Sequence, residues 1–472
     1  MSAPSARPRA ALVTVLALAA ACATAAAPPG DPRDPRGVWQ GRLQGVLRIV
    51  LHVSADSSGT RTGSLDSPDQ GAAGLPASRV GFEHDTLRFE LARPAAAFVG
   101  RMNESGTMLR GDWLQGGRTL PLELARADSL PPLRRPQLPR KPYPYDEEDV
   151  RYPGGEPGIE LAGTLSHPRG AGPFPCALLI TGSGPQDRDE TIAGHKPFLV
   201  IADRLTRAGM AVLRVDDRGV GGSSGPLEGS TTAALAGDVR AGVRYLRGRR
   251  DIDPRRIGLI GHSEGGLIAA MVAAGSDEVE FIVLLAGPGV RGDSLLIAQA
   301  AAIGRAAGAS EADVAAERDL QAGLFALARQ HPDSATTVAR VRAIFRAAGI
   351  DSARAESRLG AAVAGARSPW IAFFIDADPA PVLRRVRCPV LALNGGRDLQ
   401  VLPAQNLPAI ASALAAGGNP DVTTRELPGL NHLFQSCTTG LPTEYAQIEE
   451  TFSPAALETL TVWITRRTAG AR

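Results

Sequence analysis

A chain of 472 residues with 44% hydrophobic and 21% charged side chains has the composition of a globular protein of more than one domain, which excludes a disordered or fibrous chain. Its 51 basic and 49 acidic residues leave a formal net charge of +2, so charge gives no reason to expect nucleic acid or an acidic partner. Basic charge is almost all arginine, with lysine only at Lys141 and Lys196, a compositional bias rather than a functional patch.

The first thirty residues join Arg7 and Arg9 to an apolar run and then to small residues, the layout of a secretory leader. The run is short for a membrane-spanning helix. The string LAAAC ending at Cys22 has the form of a bacterial lipoprotein cleavage box, which would remove residues 1–21 and lipidate Cys22. Ordinary cleavage after Ala25–Ala27 would instead remove residues 1–27. Either route exports the chain, as a periplasmic, membrane-anchored or secreted protein. Cys176, Cys388 and Cys437 then remain, with no C-x-x-C spacing; buried thiols are expected, and neither a metal centre nor a disulfide framework.

Residues 31–128 alternate apolar and polar side chains in short runs (VLRIVLHV, TLRFELA, AAFVGRM, MLRGDWL, TLPLELA) separated by Gly, Asp, Asn and Ser, which predicts a small all-β domain with one buried face. His52 and His84 fall within it as structural or exposed residues rather than ligands. Residues 129–146 carry six prolines between 131 and 144 and read as a stiff, extended linker.

Over residues 147–472, strand-like runs alternate with helical patterns, which predicts a mostly parallel sheet flanked by helices. The runs are IELAGTL, CALLITG, AVLRVDD, RIGLIGH, FIVLLAG, PVLALNG and TTRELPG. Between the third and fourth, Leu235, Val239, Val243 and Leu246 share one helical face. The alternation lapses over about residues 289–380, where helical segments occur with no strand signal, as expected of a helical cap.

The most informative stretch is IGLIGHSEGGLIAAM, residues 257–271. A buried strand meets a helix at Gly-x-Ser-x-Gly, the pattern of a sharp turn that exposes a nucleophile, Ser263, with Gly261 and Gly265 where a Cβ would collide. GGSSG at 221–225 offers a rival, Ser223, but Pro226 and Gly229 follow it and no helix springs from the turn. A serine needs a base, and the base a carboxylate to orient it. Downstream, His432 follows the last strand run and Asp398 sits in a glycine-rich turn after PVLALNG; His331 and Asp376 fall in the cap. Ser263, Asp398 and His432 are therefore the expected triad. The oxyanion formed on attack requires main-chain donors. Glu264 N–H is one, and Ser183 N–H, or else Gly184 N–H, from LLITGSGPQDRDE is the other. Gly182 and Gly184 do not make a phosphate cradle, since no Gly-Lys-Ser/Thr follows.

In GSGPQDRDE, VDDRGVGGSSG, GHSEGG, SPWIAFFIDADPAPVLRRVRCPVLALNGGRDLQV and LPGLNHLFQ, the sequence resembles the α/β-hydrolase superfamily, and within it exported bacterial carboxylesterases with an N-terminal β domain. The resemblance spans roughly residues 145–470. It departs from many members at Thr181-Gly182, where they have His-Gly. It implies an α/β-hydrolase fold with a helical cap after a small all-β domain, and hydrolysis of short-chain carboxylic esters through an acyl-enzyme without metal or organic cofactor. A small-molecule ester is then the substrate; Trp370, Phe373 and Phe374 in the cap segment either line an acyl pocket or only dock the cap on the sheet. A serine peptidase of the same fold is the alternative, needing cap carboxylates such as Asp376 or Asp378 to hold a substrate amine; a non-catalytic binding protein is the third reading. Oligomeric state is left open.

Overall fold

A computed structural model describes residues 33–44, 47–55, 59–67, 72–92, 95–127 and 135–468. The expected leader and Cys22 lie outside them.

The N-terminal part folds as eight consecutive antiparallel strands: β1 (Gly37–Leu43), β2 (Leu47–Ala55), β3 (Arg61–Ser67), β4 (Ala72–Glu83), β5 (Thr86–Leu91), β6 (Ala96–Met102), β7 (Met108–Gln115) and β8 (Arg118–Ala127). Pairing of β1 with β8, Val38 opposite Ala127, closes the sheet into a barrel. An eight-stranded barrel has an interior that side chains can just fill. Alternate residues do so here: Leu87, Phe89 and Leu91 of β5 point inward with Trp39, Phe98, Leu109 and Leu124, all buried. The buried face anticipated from alternation is thus the lining of a closed barrel.

The C-terminal part is built on an eight-stranded sheet in the order β9-β10-β12-β11-β13-β14-β15-β16. Its strands are β9 (Asp146–Pro153), β10 (Glu160–His167), β11 (Phe174–Ile180), β12 (Ala211–Val215), β13 (Ile252–His262), β14 (Phe281–Leu285), β15 (Val390–Gly395) and β16 (Val422–Leu427). β10 is antiparallel to β9 and β12, and every other pairing is parallel. Successive residues of the central strands feed opposite faces. Leu178, Ile180, Ile282 and Leu284 enter one core, while Ala177, Leu179, Phe281, Val283 and Leu285 enter the other. Such strands read as unbroken apolar runs because both faces are covered.

The first core is covered by helix α2 (Thr232–Arg247), through Val243 and Leu246, and by α3 (Glu264–Ala273) and α10 (Pro403–Ala416). Helices α1 (Pro197–Arg207) and α11 (Pro454–Thr468) cover the second. Between β14 and β15 stand α4 (Gly292–Ala306), α5 (Glu311–Ala328), α6 (Ser334–Ala347), α7 (Ser352–Arg367), α8 (Pro369–Phe374) and α9 (Pro379–Leu383), the cap. Its outer helices have a core of their own, around Leu320, Leu327, Val341, Phe345 and Ala366.

Two features depart from the sequence reading. β9 begins where a linker was expected to end; in DEEDVRYP only Val150 and Tyr152 are buried, too weak an apolar signal to read as a strand. From residue 135 onward, the proline-rich segment is bound to the sheet domain instead of standing free. Arg135 donates to the carbonyls of Ile448 and Ala193, and Gln137 Oε1 accepts from the N–H groups of Thr451 and Phe452.

Candidate active site

β13 runs straight into α3 at Ser263, whose φ of 53° and ψ of −121° are ones a serine adopts only when its surroundings impose them. The turn leaves no room for side chains. A Cβ on Gly261 would sit 2.0 Å from Gly265 O, and one on Gly265 2.3 Å from Ile180 O. Ser263 N–H donates to Leu285 O at 2.8 Å, tying the turn to β14. The hydroxyl is thereby presented at the carboxyl end of the sheet, at the N-terminus of α3, where the helix dipole favours negative charge.

Asp398 and His432, from the turns after β15 and β16, meet beside it. His432 Nδ1–H donates to Asp398 Oδ2 at 2.8 Å, which leaves Nε2 as the ring's basic nitrogen. Asp398 is 1% exposed and held on all sides: Oδ1 accepts from the N–H groups of Gln400 and Val401, and Oδ2 also accepts from Asn394 Nδ2. Ser263 and His432 line one cavity of about 520 Å³. Among the described residues no hydrogen bond joins their side chains.

The same cavity is lined by Ser183, in the loop after β11. Gly182 N–H is already engaged, donating to Glu190 Oε1 at 2.7 Å. Among the described residues the N–H groups of Ser183 and Glu264 have no protein acceptor. The side chain of Glu264, to which sequence assigned no role, is 2% exposed; its Oε1 accepts from Thr232 Oγ1 at 2.6 Å and from Trp370 Nε1 at 2.8 Å.

Sequence reasoning missed a second buried pair. His262 Nδ1 lies 2.9 Å from Glu190 Oε1 and its Nε2 lies 3.0 Å from His432 O. A carbonyl only accepts, so Nε2 carries a proton, and a carboxylate beside Nδ1 favours the doubly protonated, charged ring. Burial alone would depress the His262 pKa, but the Glu190 carboxylate, the His432 carbonyl and the charge of Asp398 together raise it. The one available signal was the His-Ser pair of GHSEGG, and nothing in the sequence ties it to Glu190.

Asp217 braces the Ser183 loop from below. Its carboxyl accepts from Thr181 Oγ1 at 2.7 Å and from Gln186 N–H at 3.0 Å. Burial pushes its pKa up to about 7 against those two bonds, helped by the nearby carboxylates of Glu190 and Glu264.

The rival residues sit elsewhere. Ser223 Oγ accepts from Ala162 N–H and donates to Asp216 O, both at 2.8 Å, a purely structural clamp. Asp376 pairs with Arg291 and Arg329, Asp378 caps α9 through Ala380 N–H, and His331 is exposed beyond α5. His52 pairs with Asp66 on the barrel, and His84 lies exposed in the turn between β4 and β5. Of the three aromatic residues expected at the pocket, Trp370 and Phe374 line it, one helical turn apart and stacked with centroids 5.0 Å apart. Phe373 does not: it lies off that face and lines a separate cavity with Leu267 and Met271. Cys176, Cys388 and Cys437 are free thiols, and burial pushes the Cys388 pKa up to about 12. Among the described residues no cluster of three or more His, Cys, Asp or Glu is placed to hold a metal, and no helix is long and apolar enough to cross a membrane.

Residues 181–436, from the Ser183 loop through His432, match the model of the alpha/beta hydrolase fold family. The chain belongs to that family. Within the α/β-hydrolases it is 28% identical over 260 residues to the esterase EstD of Thermotoga maritima, an alignment covering 55% of this chain and 54% of that protein. The chain spans about half the length of the curated relatives it matches. Among solved α/β-hydrolase structures, the Pyrococcus furiosus esterase Pf2001 aligns with 72% of the chain over its whole length, at 16% identity and a TM-score of 0.43. The α/β hydrolase GrgF from a Penicillium species aligns with 69% of the chain over its whole length, at 14% identity and a TM-score of 0.45.

Proposed function

We propose that this α/β-hydrolase cleaves carboxylic esters with short acyl chains, using Ser263 as nucleophile, His432 as general base and acid, and Asp398 as the group that orients His432. The observation that carries the reading is the 2.8 Å bond from His432 Nδ1–H to Asp398, in the cavity that also holds the strained elbow serine. That bond fixes the tautomer with Nε2 free to take the Ser263 proton, and catalytic serine–histidine bonds often close only when substrate is bound.

In this reading Ser263 Oγ attacks the ester carbonyl while His432 Nε2 takes its proton. The oxyanion is met by the N–H groups of Ser183 and Glu264, whose lack of protein acceptors suits them to that task. The tetrahedral intermediate collapses as His432 returns the proton to the departing alcohol, leaving an acyl group on Ser263. Water activated by His432 then releases the acid. The name of the Thermotoga relative, an esterase, agrees with this chemistry. The peptidase reading loses support because Asp376 and Asp378 are engaged in the ion pairs and helix cap described above.

The test compares full-length protein with Ser263→Ala and Ser223→Ala on p-nitrophenyl esters and on aminoacyl p-nitroanilides. Ester turnover abolished by Ser263→Ala alone is expected. Activity that survives in Ser263→Ala removes the triad, and turnover of anilides in place of esters moves the assignment to a peptidase. We also propose export through the leader. Its check is the mass of the N-terminal peptide from native cells, which begins at residue 22 and carries lipid if Cys22 is acylated, and begins at Met1 if the proposal is wrong.

A further inference from the structure

We propose that Trp370 sets the length of acyl chain that the site accepts, by separating the acyl part of the active-site cavity from a second cavity behind the indole. The inference rests on the ester-hydrolase reading above.

The cavity around Ser263 has two chemically distinct parts. Gln400, whose N–H shares Asp398 with His432 and whose Nε2 donates to Tyr445 Oη at 2.9 Å, gives the lining a polar side near the histidine; Leu295, Leu296, Trp370 and Phe374 give it an apolar one. Since His432 must hand a proton to the leaving alcohol, the alcohol occupies the polar part. The acyl chain is left with the apolar part, whose side chains pack into one continuous cluster.

A second cavity, of about 790 Å³, is lined by Gly184, Leu235, Glu264, Ala364 and Ile371, among others, and shares only Ser183 and Trp370 with the first. Of those two, Trp370 has the bulk to form a wall. The wall is fixed at both its edge and its face. Indole Nε1 donates to the buried Glu264 carboxylate at 2.8 Å, and the ring stacks on Phe374 at 5.0 Å with 17° between planes. Thr232 Oγ1 holds the same Glu264 oxygen, so the indole is braced through α3 against the first turn of α2. With the indole in place, the second cavity is closed to an acyl chain lying in the first; without it, a longer chain reaches a further space lined by Leu235, Ala364 and Ile371 but also by Glu228, Arg367 and Ser368.

The experiment measures kcat and KM for full-length wild type, Trp370→Ala, the milder Trp370→Leu and Phe373→Ala on p-nitrophenyl esters from acetate to dodecanoate. Phe373 is the control, because it belongs to the same helix but lines a separate cavity. Wild type should favour acetate to hexanoate. In Trp370→Ala the ratio of kcat/KM for decanoate over butyrate should rise at least tenfold, chiefly through KM, since each newly buried methylene contributes up to about fourfold. Trp370→Leu should shift the same way by less, and Phe373→Ala should keep the wild-type profile. Labelling rates with ethyl and decyl fluorophosphonates give the same comparison without turnover.

A loss by the same factor at every chain length in Trp370→Ala overturns the proposal. So does an equal shift in Phe373→Ala, or a wild type that already prefers dodecanoate. Activity persisting in Ser263→Ala would instead sink the underlying ester-hydrolase reading, and the two failures are thus told apart.

Discussion

His262 donates from Nδ1 to Glu190 at 2.9 Å while its Nε2 holds the main-chain carbonyl of His432 at 3.0 Å. Glu190 in turn accepts from Gly182 N–H, one residue before Ser183. A buried pair therefore links the strand that leads into Ser263, the loop carrying the Ser183 N–H and the loop carrying His432. Neither residue is placed to exchange a proton with Ser263; their expected part is to position the two loops.

The charges facing His262 are those of Glu190 and Asp398, with the His432 ring 4.7 Å away between centroids. Its folded pKa is raised, so its contribution to stability is complete below about 6.5, the unfolded value, and is lost as pH rises through the higher folded value. Glu190→Gln removes the anion and lets that folded value fall. The expected outcome is a loss of about tenfold to a hundredfold in kcat with little change in KM, and an alkaline limb of the pH–rate profile displaced to lower pH. A profile of unchanged shape in Glu190→Gln would show that the pair has no bearing on the site beyond packing.

Asp398→Asn tests the orienting bond. In wild type the carboxylate accepts from four donors, His432 Nδ1–H among them. With its amide oxygen kept by the Gln400 and Val401 N–H groups, the substituted side chain would turn its NH2 toward His432 Nδ1. The ring must then carry its proton on Nε2, where the serine needs a base. A fall in kcat of about 10⁴-fold is expected, with far-ultraviolet circular dichroism unchanged. Retention of more than a tenth of wild-type kcat would mean another group orients the histidine.

Asp217 gives a stability signature of opposite sign to that of an ordinary ion-paired carboxylate. Its folded pKa is raised to about 7 from 3.8, so the folded state binds the extra proton between those values. Stability therefore falls as pH rises from about 4 to about 7 and levels off above, by at most about 4 kcal/mol at 1.36 kcal/mol per pKa unit. Asp217→Asn cannot ionise. It forfeits one acceptor for Gln186 N–H, at a cost of about 1 kcal/mol that does not depend on pH. The Tm of the variant relative to wild type should accordingly rise between pH 5 and pH 8 in calorimetry. A constant difference across that range would place the Asp217 titration outside the window.

Much of the molecule was legible in the residues themselves. Strands buried on both faces announce themselves as apolar runs, and the seven read from Ile159 onward correspond to β10 through β16. The cap was visible as helical pattern without strand signal, and Gly-His-Ser-Glu-Gly as a strand meeting a helix, because these signals arise from neighbours in the chain. Ser263, Asp398 and His432 were singled out by their order along the chain and their placement after strand runs, which needs no knowledge of contacts. Closure of the barrel, the strand β9 and the Glu190–His262 pair depended on partners distant in sequence. His262 and Glu190 are 72 positions apart, and Trp370 reaches Glu264 across 106. Which face of α8 lines the cavity, separating Trp370 and Phe374 from Phe373, was decided only when the cap packed on the sheet. Local pattern determines which elements form and which side chains they carry; packing between remote segments decides which of those side chains share a cavity, a proton or a wall.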